Sequence, residues 1–100
     1  MVESFIDKKT GCLTIQIKGR FDYSCHKAFK QAFSKGSVVS SYDVDLSEAT
    51  YLDSSALGML LLLRDHAGAE RSKIRLIHAN NAVVEILKMA NFHRLFVITE

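Results

Sequence analysis

The chain has no proline, and only two cysteines, five glycines and a formal net charge of +2 are spread over its 100 residues. Apolar residues make up 48% and charged residues 24%, the balance of a soluble globular chain rather than a disordered one. One hundred residues suffice for one small core, so a single domain spanning residues 1–100 is expected. Cys12 and Cys25 are too few for a disulfide framework and read as partly buried free thiols. The net charge is too small to point to nucleic acid. Lys8 and Lys9 fall in a turn, while Arg71, Lys73 and Arg75 flank a strand, as solvated faces do. No apolar segment follows Met1, so no signal peptide is expected. The longest apolar run, residues 56–63, is far too short to cross a bilayer. These absences fit a reducing cytoplasm and exclude direct membrane insertion.

Catalytic signatures are missing too. His26, His66, His78 and His93 have no metal-ligand spacing, and no Cys/His cluster exists, so no metal and no cofactor are expected. Ser55 lacks the Gly-x-Ser-x-Gly frame of a nucleophile elbow. There is no Walker loop and no Gly-x-Gly-x-x-Gly, which leaves direct nucleotide binding without a loop to carry it. An enzyme is not expected.

What is present is a regular alternation of elements. Residues 2–7 read as a strand with Val2, Ser4 and Ile6 on one face and Glu3 and Phe5 on the other. Asp7-Lys-Lys-Thr-Gly11 has turn chemistry. Residues 12–18 then alternate, with Leu13, Ile15 and Ile17 inward, so the two strands should form an antiparallel hairpin. Cys25, Ala28, Phe29, Ala32 and Phe33 form the stripe of an amphipathic helix, capped by Asp22 or Ser24 and stopped at Gly36. A strand at 42–46 and a polar loop at 47–53 lead to the central helix. A short apolar strand follows around Ile74–Ile77. Asn80 or Asn81 then caps a helix with the stripe Val83, Ile86, Leu87 and Ala90, and Asn91 suits its C′ position. Residues 95–98 are the last strand. The order is ββαβαβαβ. It predicts an α/β (α+β) domain, a mixed sheet with parallel later strands and helices packed mainly on one face.

The chain is organised around Asp53-Ser54-Ser55 and the apolar run behind it. A small polar residue before such a run marks a helix N-terminus, because its side-chain oxygen takes up an unpaired backbone N–H. Two serine hydroxyls therefore sit in the first turn. By itself this is what a helix cap looks like. The position also suits a modifiable hydroxyl: a phosphate there lies at the positive end of the helix dipole and adds about −1.5 to −2 charges beside Asp53. Along the helix, Ala56, Leu60, Leu63 and Ala67 share the natural core face, with Leu57 beside it. Met59 and Leu62 either belong to a docking surface or are covered by neighbouring helices.

Asp45-Leu-Ser…Tyr-Leu-Asp-Ser-Ser-Ala-Leu-Gly58 resembles the signature of STAS domains, the fold of bacterial anti-sigma factor antagonists. Gly19-Arg-Phe-Asp22 matches that family's Gly-x-x-Asp turn, and Asn91-Phe-His-Arg-Leu-Phe96 its closing helix-to-strand segment. Ala56 stands where the family commonly has glycine. The resemblance implies a non-enzymatic binding module that captures an anti-sigma factor with serine kinase activity. Ser55 is the implied phosphorylation site, with Ser54 the second choice, and a partner serine phosphatase resets it. Asp22, Asp53, Ser54, Ser55, Met59 and Leu62 are the candidate partner-binding residues, Asp22 being either a cap or an orienting group beside the serine loop. Many members carry a further C-terminal helix. None is expected after Ile98 here, an expectation that would leave one sheet face less covered and favour a partner or a weak homodimer. The alternative role is a structural STAS subunit of a larger assembly, a transport ATPase complex or stress-sensing particle, with no phosphoswitch.

Overall fold

The computed structural model describes residues 1–34 and 38–100. Gly36, the expected helix stop, lies outside the described residues. The elements run β1 (Val2–Asp7), β2 (Cys12–Phe21), α1 (His26–Ser34), β3 (Ser41–Leu52), α2 (Ser54–His66), β4 (Ile74–Ile77), α3 (Asn81–Met89) and β5 (Val97–Ile98). Single 3-10 turns at Tyr23–Cys25, Ala69–Arg71 and Phe92–Arg94 precede α1, β4 and β5. The order ββαβαβαβ is the one the alternation predicts.

The β1–β2 hairpin forms because its turn is chemically determined. The Asp7 carboxylate accepts the N–H of Lys9 at 2.9 Å, and the Asp7 carbonyl accepts the N–H of Gly11 at 2.7 Å. Gly11 has φ +75°, and a Cβ there would stand 2.5 Å from Ser40 Oγ, so only glycine fits.

The strands lie in the order β1-β2-β3-β4-β5, β1 antiparallel to β2 and every later pair parallel. Each crossover advances one strand in the same direction. Right-handed crossovers that never reverse direction put all three helices on one face. Under them lies the core row Ile15, Val44 and Leu76, register partners with no exposure. Phe29, Leu60, Leu63, Val83 and Leu87 close over it from the helices. The opposite face carries the row Phe5, Thr14, Asp43, Arg75 and Val97. Asp43 is buried there under Arg75, whose Nε and Nη2 donate to the two carboxylate oxygens at 2.9 and 2.7 Å. Arg75 is thus bound to a carboxylate rather than simply solvated, and β4 is buried on one face only.

Three expectations change. The strand expected at 42–46 continues to Leu52, and the expected loop is sheet. Its register with β2 slips between Gln16 and Lys18 and again between Gly19 and Arg20, each time giving β3 an extra residue. Every such bulge lengthens the inward repeat from two residues to three, so Leu46, Ala49 and Leu52 are the buried positions. Ala28 of the expected core stripe is exposed, because α1 lies beside the sheet edge. The last strand starts at Val97 and not at 95, since the N–H groups of Leu95 and Phe96 are both spent on the carbonyl of Phe92.

α3 behaves as its sequence suggests. Asn80 Oδ1 accepts the N–H of Val83 at 2.9 Å, and Asn91 takes a left-handed φ of 60° just past the helix end.

Candidate functional site

β2 and β3 end side by side, with Phe21 opposite Leu52. Both strands run straight into turns that open with aspartate, so Asp22 and Asp53 are neighbours at one rim of the sheet. The N–H of Asp53 reaches the carbonyl of Phe21 at 3.4 Å.

Asp53 is the N-cap of α2. Its Oδ1 accepts the N–H of Ala56 at 3.0 Å and the hydroxyl of Ser55 at 2.7 Å. These bonds, the Ser55 hydroxyl first and then the Ala56 N–H, hold the Asp53 carboxyl below its ordinary value, while the charge of Asp22 opposes them. Asp53 is therefore a carboxylate at neutral pH. Because the Ser55 hydroxyl donates its proton to that carboxylate, its oxygen keeps its lone pairs for an incoming electrophile. Ser55 is half-buried and Ser54 exposed.

Asp22 repeats the pattern. It accepts the hydroxyl of Ser24 and, at 3.0 Å, the N–H of Ser24. The Ser24 hydroxyl, then its N–H, hold the Asp22 carboxyl below its ordinary value, with a smaller contribution from Arg20. Arg20 Nε stands 3.6 Å from Asp22, and its guanidinium lies 4.7 Å over the ring of Tyr51. Asp22 is thus a cap that also lies at the rim beside Asp53.

The rim thus joins Asp22, Asp53, Ser54 and Ser55. It does not include Met59. That side chain is 2% exposed and belongs to the core, because the cap sets the rotation of α2 so that Met59 turns inward with Ala56, Leu60 and Leu63. Leu62 is 46% exposed, one turn further on, and Leu61 beside it is exposed as well. Tyr23, stacked on His26, and Tyr51, under the Arg20 guanidinium, are exposed too. Arg20, Tyr23, Tyr51 and Leu61 were not singled out from the sequence. The Arg20–Tyr51 pair depends on a register that two bulges displace.

Three clefts formed by the described residues include none of Asp22, Asp53, Ser54 or Ser55 in their linings. A cleft of about 500 Å³, lined by Tyr42, Lys73, His93 and Arg94, opens at the opposite end of the parallel strands. Among the described residues no three His, Cys, Asp or Glu side chains converge on a metal site, and no helix is long and apolar enough to cross a membrane. A rim of charge, hydroxyl and apolar side chains is suited to a macromolecular partner.

Residues 4–99 match the family model described as "Mlab, STAS domain". A STAS-domain containing protein of Pseudomonas aeruginosa is 53% identical over 88 residues, 87% of each chain. Among solved structures, the anti-sigma factor antagonist SpoIIAA in its unphosphorylated form superposes with a TM-score of 0.80 at 13% identity, over 100% of this chain and 89% of its own. Its phosphorylated form from Bacillus gives 0.69 at 12% identity, over 100% and 92%. A sulfate transporter family protein of Wolinella succinogenes gives 0.79 at 11% identity, over 95% and 80%. At such identities the structures establish the shared fold. From the family match and the Pseudomonas relative together, the chain belongs to the STAS domain family.

Proposed function

We propose that the protein is an anti-sigma factor antagonist, a cytoplasmic binding module and not an enzyme. Its unphosphorylated form captures an anti-sigma factor with serine kinase activity and so frees a sigma factor. The kinase phosphorylates Ser55, with Ser54 the second-choice acceptor, and a serine phosphatase restores binding. The observation that carries this reading is the Ser55 hydroxyl, held at 2.7 Å by Asp53 in the first turn of α2 on the rim. SpoIIAA, which shares the fold, is known in unphosphorylated and phosphorylated forms.

The mechanism follows from local charge. A phosphate on Ser55 ends the hydrogen bond to Asp53 and puts about −1.5 to −2 charges beside two carboxylates. The N-terminus of α2 tolerates that charge, since its free N–H groups and dipole favour an anion. A partner must then desolvate a far more charged surface in order to dock on Asp22, Ser54 and Leu62. A ten- to thousandfold loss of affinity needs only about 1.4–4 kcal/mol. The fold itself need not change.

The second reading is a subunit of a transport assembly, in which Asp53-Ser54-Ser55 is a cap and nothing more. The likeness to a sulfate transporter family protein favours it. Capture from a lysate of the native cell separates the two. The bare protein is expected to retain an anti-sigma factor that the Ser55→Asp variant does not. Retention of the same transport ATPase by both forms would overturn the switch.

A further inference from the structure

We infer that β1 is a self-pairing edge, through which two copies of this chain join their sheets into one. β1 and β5 are the two edges of the sheet. Sheet edges are commonly blunted by shortness, proline, bulges or inward charges. β5 is only two residues long. β1 has six residues, no proline, no register shift against β2, and Val2, Ser4 and Ile6 on its inner face.

The backbone of β1 has a definite parity. Met1 and Lys18 exchange both backbone hydrogen bonds, at 2.8 and 2.9 Å. In an antiparallel ladder such pairs alternate with non-bonded ones. Glu3, Phe5 and Asp7 therefore direct their N–H and C=O groups to β2, and Val2, Ser4 and Ile6 direct theirs outward. An antiparallel second copy must pair these outward residues with one another.

Charge then selects the register. With Ser4 opposite Ser4 of the second copy, Val2 meets Ile6 and Glu3 meets Phe5, and no like charges face each other. A shift that puts Phe5 opposite Phe5 sets Glu3 against Asp7 twice. A shift the other way sets Glu3 against Glu3. Like charges directly opposite are destabilising. In the favoured register the two Phe5 rings, 62% exposed in the single chain, are diagonal neighbours within aromatic reach.

The helix layer has room for this pairing. A groove of about 380 Å³ runs along the β1 edge, lined by Val2, Glu3, Ser4, Ala28, Gln31 and Ala32. α1 packs over β1 and β2. Two copies of α1 then lie about two strand spacings apart, roughly 9–10 Å. Packed helices stand about 8–10 Å apart. Close approach needs small residues at the seam, and the exposed Ala28, which the core does not use, supplies one. The two-fold axis stands perpendicular to the sheet, so the two Ser55 rims point to opposite ends of the dimer and stay open.

The test is sedimentation equilibrium of the untagged chain from micromolar to millimolar concentration. The expected mass rises from monomer to dimer. Ser4→Pro removes an outward N–H and none from the β1–β2 ladder, so it should stay monomeric with an unchanged circular dichroism spectrum. Ser4→Cys should form a disulfide-linked dimer on oxidation, because paired residues about 5.5 Å apart at Cα are within disulfide range. Ser55→Asp should dimerise like the parent, which keeps this result separate from the phosphoswitch. A monomer at every concentration would overturn the inference. So would a dimer that survives in folded Ser4→Pro, or a Ser4→Cys dimer that does not cross-link on oxidation.

Discussion

Two turns of the same Asp-x-Ser pattern stand side by side at the rim. Asp22-Tyr23-Ser24 and Asp53-Ser54-Ser55 both aim a serine hydroxyl at the aspartate two residues earlier. Their surroundings differ. Asp22 spends its second bond on Ser24 itself, opens a single 3-10 turn and has Arg20 at 3.6 Å. Asp53 reaches one residue further, to Ala56, and opens the 13-residue α2. The same three-residue pattern thus leads through a 3-10 turn into the nine-residue α1 in one place and directly into the 13-residue α2 in the other. In the phosphoswitch proposed above, what sets Ser55 apart from Ser24 is the longer helix that starts directly at its cap and supplies the dipole.

The comparison breaks most severely if α2 is loosened. Met59→Ala should cost about 2–5 kcal/mol of stability, read by chemical denaturation, since it hollows the core under Ser55. Leu62→Ala on the outer face should stay within about 0.5 kcal/mol and should instead weaken capture of the anti-sigma partner. Next comes charge. Ser55→Asp should lower affinity for that partner ten- to thousandfold by calorimetry, or about 1.4–4 kcal/mol. Ser24→Asp, in the turn with its own cation, should change it far less. If both replacements act equally, the helix is irrelevant to the switch.

Smaller effects sharpen the contrast between the caps. Asp53→Ala should lower the thermal midpoint more than Asp22→Ala, because it strips the cap from a helix that covers the core. The caps also give stability an acid limb. Both carboxyls are held below their unfolded value, near 3.8. Their contribution is full above that value and is lost as pH falls through the lower, folded one. The stability gap between wild type and Asp53→Ala should therefore be constant at neutral pH and close below about pH 4.

Much of this fold is legible in the sequence because its signals are local. The Asp7–Gly11 turn, the caps at Asp53 and Asn80 and the stripe of α3 all depend on near neighbours. The misreadings have tertiary causes. β3 past Leu46 looks like a loop because two bulges turn an alternating pattern into Leu46, Ala49 and Leu52. That three-residue spacing is the signal that identifies it. α2 is apolar on nearly every side, so its sequence does not choose between Met59 and Leu62. The cap geometry and the neighbouring α1 do. Arg20 and Tyr51 meet only through the displaced register.

The most direct measurement is the intact mass of the protein recovered from its native cell, with fragment mapping of any added phosphate. The phosphoswitch requires one phosphate on Ser55 in part of the population, absent from a Ser55→Ala variant. A protein that carries no phosphate under any growth condition, or carries it only outside Ser54 and Ser55, would contradict it and leave Asp53-Ser54-Ser55 as a helix cap.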